Sequence, residues 1–225
     1  MPFPPILPAV RCETGTHPPD AAVIWLHGLG ADGHDFEPVI GQLELADLAV
    51  RFVLPHAPAM PVTVNGGYIM PAWYDIRSSD LTAEVDAAGI DRAADAIDRL
   101  VEREAMRGIE PRRILLAGFS QGAVVALRCG LRKPHAIGGI IALSGYLPFA
   151  VEQADAEAPP LFLGHGIHDT IVPFALGDRA RRLLQDAGYR VSWHSWPIDH
   201  GVCPEEIAGI GRWIRRRLQQ ETKQP

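Results

Sequence analysis

Six short apolar runs, most of them nearly continuous in Val, Ile, Leu and Ala, punctuate the chain at residues 21–26, 51–54, 113–117, 137–143, 160–163 and 189–193. A strand apolar on both sides must be covered on both sides, so runs of this kind point to the interior of a sheet. The segments between them carry a different period. Ile90, Ala94, Ile97 and Val101 recur at helical spacing, with Asp91, Asp95 and Asp98 on the other faces. Gly108 stops that helix and Pro111 blocks its restart. Further helices are expected over 120–132, over 174–187 up to Gly188, and over 204–219, where Ile207, Ile210, Trp213 and Ile214 form one stripe. Strand–helix alternation of this sort predicts an α/β fold: a mostly parallel central sheet with helices on both faces. Residues 6–11 offer an edge strand weakened by prolines. Residues 55–80, rich in Pro, Gly and Asn, read as one long irregular loop, a feature often functional in a compact domain.

The chain has 225 residues, which suits a single domain over 1–225. A chain of this size buries roughly 70% of the surface it exposes when unfolded, so it needs no covalent staples. Its net charge of −6 argues against a nucleic-acid partner. The dense basic run Arg215-Arg216-Arg217, with Arg212 nearby, falls near the end of a predicted helix, where cations complement the dipole. Three cysteines, Cys12, Cys129 and Cys203, are an odd number without a C-x-x-C pair, so neither a disulfide framework nor a metal site is expected. Met-Pro-Phe-Pro-Pro-Ile-Leu-Pro lacks the basic start and apolar stretch of a secretory leader. No apolar run approaches 18 residues, so no membrane anchor is expected and the cytoplasm is the default location.

The segment Ile114-Leu-Leu-Ala-Gly118-Phe-Ser120-Gln-Gly122-Ala-Val-Val-Ala joins a buried strand to a helix through G-x-S-x-G. A serine on so sharp a turn is held in a strained conformation above the sheet edge, and the residues two before and two after it must be small. The following helix turns its free N–H groups and positive end toward developing negative charge. Ser120 is therefore the candidate nucleophile. The alternative, a capping serine in an ordinary strand–helix loop, accounts for less of the pattern. Ser144, in Leu-Ser-Gly, is a weaker rival, because Ala142 replaces the first glycine and Gly145 comes one position too early.

A serine needs a general base, itself oriented by an acid. With this elbow the chain order is Ser, then Asp or Glu, then His, in loops at the carboxyl ends of later strands. Asp169 follows the run 160–163 in Gly164-His165-Gly166-Ile167-His168-Asp169, and His200 follows the run 189–193 in Ser195-Trp196-Pro197-Ile198-Asp199-His200. His194 belongs to or abuts its strand and reads as structural. His165 and His168 share the acid's loop, which leaves them poorly placed for orientation by Asp169. Asp199 adjoins His200, and sequence neighbours rarely aim side chains at each other. An acyl-transfer site also needs an oxyanion hole. One N–H is expected from Gln121, the residue after the nucleophile, and the second from Leu29 in Leu26-His27-Gly28-Leu29-Gly30-Ala31-Asp32-Gly33. That loop also fits G-x-G-x-x-G, but Pro55-His56 stands where a ribose-binding acid would follow the next strand, so a dinucleotide site is not supported.

Taken together, these residues resemble the carboxylesterase/acyl-protein thioesterase family of α/β-hydrolases. The likeness spans nearly the whole chain. It rests on the 26–33 loop, Pro55-His56-Ala57-Pro58, Pro61-Val62-Thr63 with Asn65-Gly66-Gly67, Ala72-Trp73-Tyr74-Asp75, the 118–122 elbow, His165-Gly166 with His168-Asp169 and Val172-Pro173, and His200. The resemblance implies Ser120, Asp169 and His200 as triad, the Leu29 and Gln121 N–H groups as oxyanion hole, and hydrolysis of small carboxylic esters or acyl thioesters without a metal or other cofactor. It also implies homodimers, which relatives often form. Asn65-Gly66-Gly67-Tyr68 and Trp73-Tyr74-Asp75 suggest the bacterial-like carboxylesterase branch. No insertion after Gly145 is long enough for a large lid, so the site should be open and walled by residues 55–80. Trp73, Tyr74, Met70 and Ile69 there could form an apolar acyl groove, or simply pack the loop. Lysophospholipase or peptidase activity on the same triad, and a catalytically silent binding module, are the competing readings.

Overall fold

The computed structural model describes residues 6–132 and 137–221; residues 1–5, part of the segment read against a leader, lie outside them. The elements run β1 (Ala9–Glu13), β2 (Ala21–Leu26), α1 (Glu37–Ile40), β3 (Val50–Pro55), β4 (Ala59–Val62), β5 (Tyr68–Pro71), α2 (Ala87–Met106), β6 (Ile114–Phe119), α3 (Gln121–Leu131), β7 (Gly139–Leu143), β8 (Leu161–Gly166), α4 (Phe174–Asp186), β9 (Val191–Trp196) and α5 (Pro204–Glu221). Seven strands form one sheet in the order β1-β3-β2-β6-β7-β8-β9. All neighbours are parallel except β1, which lies antiparallel on β3 at the edge. Each of the six apolar runs is thus a strand of one mostly parallel sheet, and the weak edge strand exists.

Alternation along the strands divides the core in two. Ala22, Ile24 and Leu26 of β2, with Ile114 and Leu116 of β6, face a cluster built with Ile90, Ile97 and Leu100 of α2, Val124 and Leu127 of α3 and Leu184 of α4. Ala21, Val23 and Trp25, with Leu115 and Ala117, face the opposite cluster, which holds Ile40 of α1 and Ile207, Ile210, Trp213 and Ile214 of α5. These strands are apolar on every residue because both of their faces are covered.

The chain reverses direction across the sheet at β2: β3 is laid on one side of it and β6 on the other. Such a switch point opens a crevice at the carboxyl ends of the two strands. Leu26 of β2 pairs with Gly118 of β6, so the 27–33 loop and the serine elbow leave the sheet side by side. Among the described residues, no domain is inserted between β7 and β8.

One expectation needs correcting. Residues 55–80 are not a single irregular loop, because β4 and β5 form an antiparallel hairpin within them, pairing Ala59 with Pro71 and Val62 with Tyr68. Gly66 and Gly67 at its turn take φ of 65° and 80°, where glycine is favoured. Pro61 and Pro71 disguised it: a two-stranded ribbon is all edge, and edges tolerate proline.

Candidate active site

Ser120 sits between β6 and α3 at φ 54°, ψ −117°, a conformation an L-residue holds only when its surroundings impose it. The glycines of G-x-S-x-G explain how. A Cβ on Gly118 would lie 2.3 Å from the Gly122 carbonyl oxygen, and one on Gly122 would lie 2.5 Å from His27 O and 2.6 Å from Leu26 O. Helix α3 can therefore rise straight off β6 and across the end of β2. The Ser120 N–H is tied to Leu143 O at 2.8 Å. The rival Ser144 also has positive φ, but it is only 1% exposed and no helix starts behind it.

Asp169 and His200 come from separate loops and meet. His200 Nδ1 lies 2.7 Å from Asp169 Oδ2, and Asp169 Oδ1 accepts the Ile171 and Val172 N–H groups, both at 2.9 Å. With Nδ1 donating to the carboxylate, Nε2 of His200 is left free to accept a proton. The two loops are laced together: Ile167 N–H donates to Trp196 O at 2.7 Å and His168 N–H to Ile198 O at 3.0 Å. A Cβ on Gly166 would stand 2.3 Å from Asp199 O, so only glycine allows that approach. The His200 ring packs against Phe119, the residue before Ser120, with centroids 4.8 Å apart. Among the described residues no hydrogen bond ends on Ser120 Oγ; such contacts often tighten only around a substrate.

His165 departs from expectation. It lies on β8 rather than in the acid's loop, and its Nε2 is 2.8 Å from Val172 O and 3.4 Å from Asp169 Oδ2. A carbonyl only accepts, so Nε2 carries the proton and braces the acid's loop. Burial lowers its pKa. His194 stacks on Phe162 at 4.8 Å, a packing role as expected.

The oxyanion candidates flank the elbow. Gln121 N–H, at the first helical position, has no partner within the helix, and neither it nor Leu29 N–H donates to another described group. A Cβ on Gly28 would lie 3.6 Å from Ser120 Cβ, so the Leu29 loop borders the nucleophile. The loop is anchored to the hairpin by Gly30 N–H donating to Pro71 O at 2.9 Å.

A family model described as phospholipase/carboxylesterase matches residues 8–218. The chain belongs to that family. Membership makes it a hydrolase on the α/β-hydrolase fold. Acyl-protein thioesterase 1 of Neurospora crassa is 37% identical over 231 residues, covering 96% of this chain and 92% of that one. The Saccharomyces cerevisiae acyl-protein thioesterase 1 is 34% identical, covering 93% and 98%. The crystal structure of Zea mays acyl-protein thioesterase 2 superposes with a TM-score of 0.82 at 27% identity, covering 94% of this chain and 99% of that one.

Within this family frame, the four candidate groove residues divide. Trp73 and Tyr74 are 0% and 2% exposed and belong to the core, so for them the packing alternative holds. Met70 is half-buried, its sulfur 3.8 Å from where a Gly30 Cβ would be, and Ile69 is 65% exposed. Sequence reasoning also missed what the Gln121 side chain does. Its Oε1 accepts the Trp73 N–H at 2.9 Å and its Nε2 donates to Tyr74 O at 2.7 Å, clamping the 72–75 segment to the elbow. Gln121 was read only for its backbone, since nothing local ties residue 121 to residue 73.

Proposed function

We propose that the chain is a serine hydrolase of small carboxylic esters, acting through Ser120, His200 and Asp169 and a covalent acyl-enzyme. The observation that carries this reading is an imidazole hydrogen-bonded through Nδ1 to a buried carboxylate and packed against Phe119, the residue before a strained serine. In the first step His200 Nε2 takes the hydroxyl proton as Ser120 Oγ attacks the carbonyl carbon. The oxyanion is met by the Leu29 and Gln121 N–H groups, and the protonated imidazole gives its proton to the leaving group. Water then enters, loses its proton to His200 and releases the acid. Asp169 fixes the tautomer and stabilises the imidazolium. Met70 and Ile69 wall the acyl side, with Trp73 and Tyr74 as packed support.

Acyl thioesters are the second substrate class, and the relatives named acyl-protein thioesterase support it. A homodimeric, cytoplasmic enzyme is part of the same proposal, drawn from the family resemblance. Among the described residues no helix is long and apolar enough to cross a membrane.

Ser120→Ala should lower kcat by about a millionfold and abolish labelling by a fluorophosphonate probe. Retention of most esterase activity would overturn the assignment, and a folded wild-type protein that resists the probe would favour a silent binding module. A nitrophenyl ester chain-length series, run beside acyl thioester, lysolipid and peptide substrates, separates the substrate classes.

A further inference from the structure

His27 is a buried histidine that the reaction above does not use. It is 1% exposed, and both ring nitrogens are engaged. Nε2 accepts the Ala57 N–H at 3.1 Å. Nitrogen accepting that bond has no proton of its own, so Nδ1 carries it, and Nδ1 lies 2.7 Å from Gly28 O. The two contacts fix one tautomer. Burial lowers the pKa of His27. The rest of the residue is held as firmly. Its own carbonyl accepts the Trp73 indole N–H at 2.9 Å, and its ring lies 5.0 Å from the Trp73 ring.

The Gly28 carbonyl and the Leu29 N–H belong to one peptide plane. In a trans peptide they point in opposite directions, so whatever grips the carbonyl aims the N–H. The Gly28 carbonyl is gripped twice, by His27 Nδ1–H and by Ala31 N–H at 3.3 Å, whereas the Leu29 N–H has no partner among the described residues. Gly28 itself borders Ser120 and Phe119. Without a hold on its carbonyl, a glycine-flanked peptide flips readily, and preorganisation of the donor is lost. We infer that His27 is the positioning residue of the oxyanion hole, binding the Gly28 carbonyl so that the Leu29 N–H stays directed at the site beside Ser120. The inference rests on the serine-hydrolase reading and extends it to a residue that never touches substrate.

Two substitutions divide the bonds of the ring. His27→Asn places a donor where Nδ1 stands and gives up Ala57; His27→Gln reaches the position of Nε2 and gives up Gly28. His27→Gln should lower kcat by about 10²- to 10³-fold, as for loss of one oxyanion donor, with KM changed by less than about threefold. The fluorophosphonate inactivation rate should fall in parallel. His27→Asn should recover at least about a tenth of the wild-type kcat at a similar melting temperature. Equal losses in the two variants that track their melting temperatures, or an unchanged kcat in folded His27→Gln, would overturn the inference. Nitrogen-15 NMR of the unsubstituted enzyme tests it without any variant: a proton on Nδ1 of His27 supports it, and a proton on Nε2 defeats it. Ser120→Ala in the same series separates the failures. If that variant stays active, the serine reading falls; if it is dead while His27→Gln is unimpaired, only the role of His27 falls.

Discussion

Ser120 keeps a backbone conformation that side chains avoid, and the reason is the crowding around its two glycines. Both glycines face backbone that cannot swing away, and at Gly122 the atoms a Cβ would strike are oxygens at and beyond the end of β2. Gly122→Ala should therefore destabilise the protein by about 2 kcal/mol, a fall in Tm of about 4–8 °C for a chain of this size. It should also lower kcat in the protein that remains folded, since the clash displaces the loop bearing Leu29. Calorimetry and esterase assays on the variant check both, and an unchanged Tm would contradict the steric account. This glycine pattern could be read from the sequence because the clash it avoids is encoded within a few residues of the serine. The side-chain bonds of Gln121 and His27 could not be, since their partners at residues 73, 74 and 57 come near only after folding.

Among the elements, α5 ties the base to the fold. It begins four residues after His200, and Glu206 lies in its first turn. Glu206 is 1% exposed, one of its oxygens has no partner, and burial pushes its pKa up from 4.5 to about 8. The folded state thus holds a proton that the unfolded chain releases. The contribution of this group is whole below pH 4.5, declines as pH rises, and is gone above about 8. Glu206→Gln keeps the shape of the side chain and removes the titration. It should melt roughly 5 °C above the wild type near pH 9, with the difference vanishing in mild acid. Parallel melting curves across the pH range would show that Glu206 does not titrate this way. The helix itself was visible as a stripe of Ile207, Ile210, Trp213 and Ile214, but the buried carboxyl was not, because the desolvation of Glu206 depends on Gly164 of β8 packing against it.

Over the whole molecule, the candidate site gathers the ends of β2, β6, β8 and β9 at one edge of the sheet, and that edge is only as rigid as the layers behind it. One long-range tie is Glu104 of α2, whose side chain is 0% exposed. It pairs with Arg51 of β3 at 3.0 Å and Arg107 at 2.7 Å, while Arg51 also reaches Glu13 of β1 at 2.9 Å. Glu104→Ala would remove the buried carboxylate that joins these partly exposed arginines and should cost about 1.5–3 kcal/mol. Urea unfolding measures the loss, and kcat at a permissive temperature should hardly change; a midpoint shift below that of an ordinary surface substitution would argue against the network. The basic run near the C-terminus is likewise structural: Arg215 pairs with Asp47 at 2.6 Å and Arg217 donates to Gly138 O at 3.0 Å.

Apolar periodicity and the steric needs of one turn were enough to specify a parallel sheet clad in helices and a serine at the end of β6, because strand burial and elbow crowding are properties of residues close together in the chain. The folded arrangement closed the expected Asp169–His200 pair at 2.7 Å, and it alone brought His165 to the same carboxylate, turned Trp73 and Tyr74 inward, and fixed the tautomer of His27. Those outcomes depend on which loops are laid side by side when distant segments pack, and no local pattern records that.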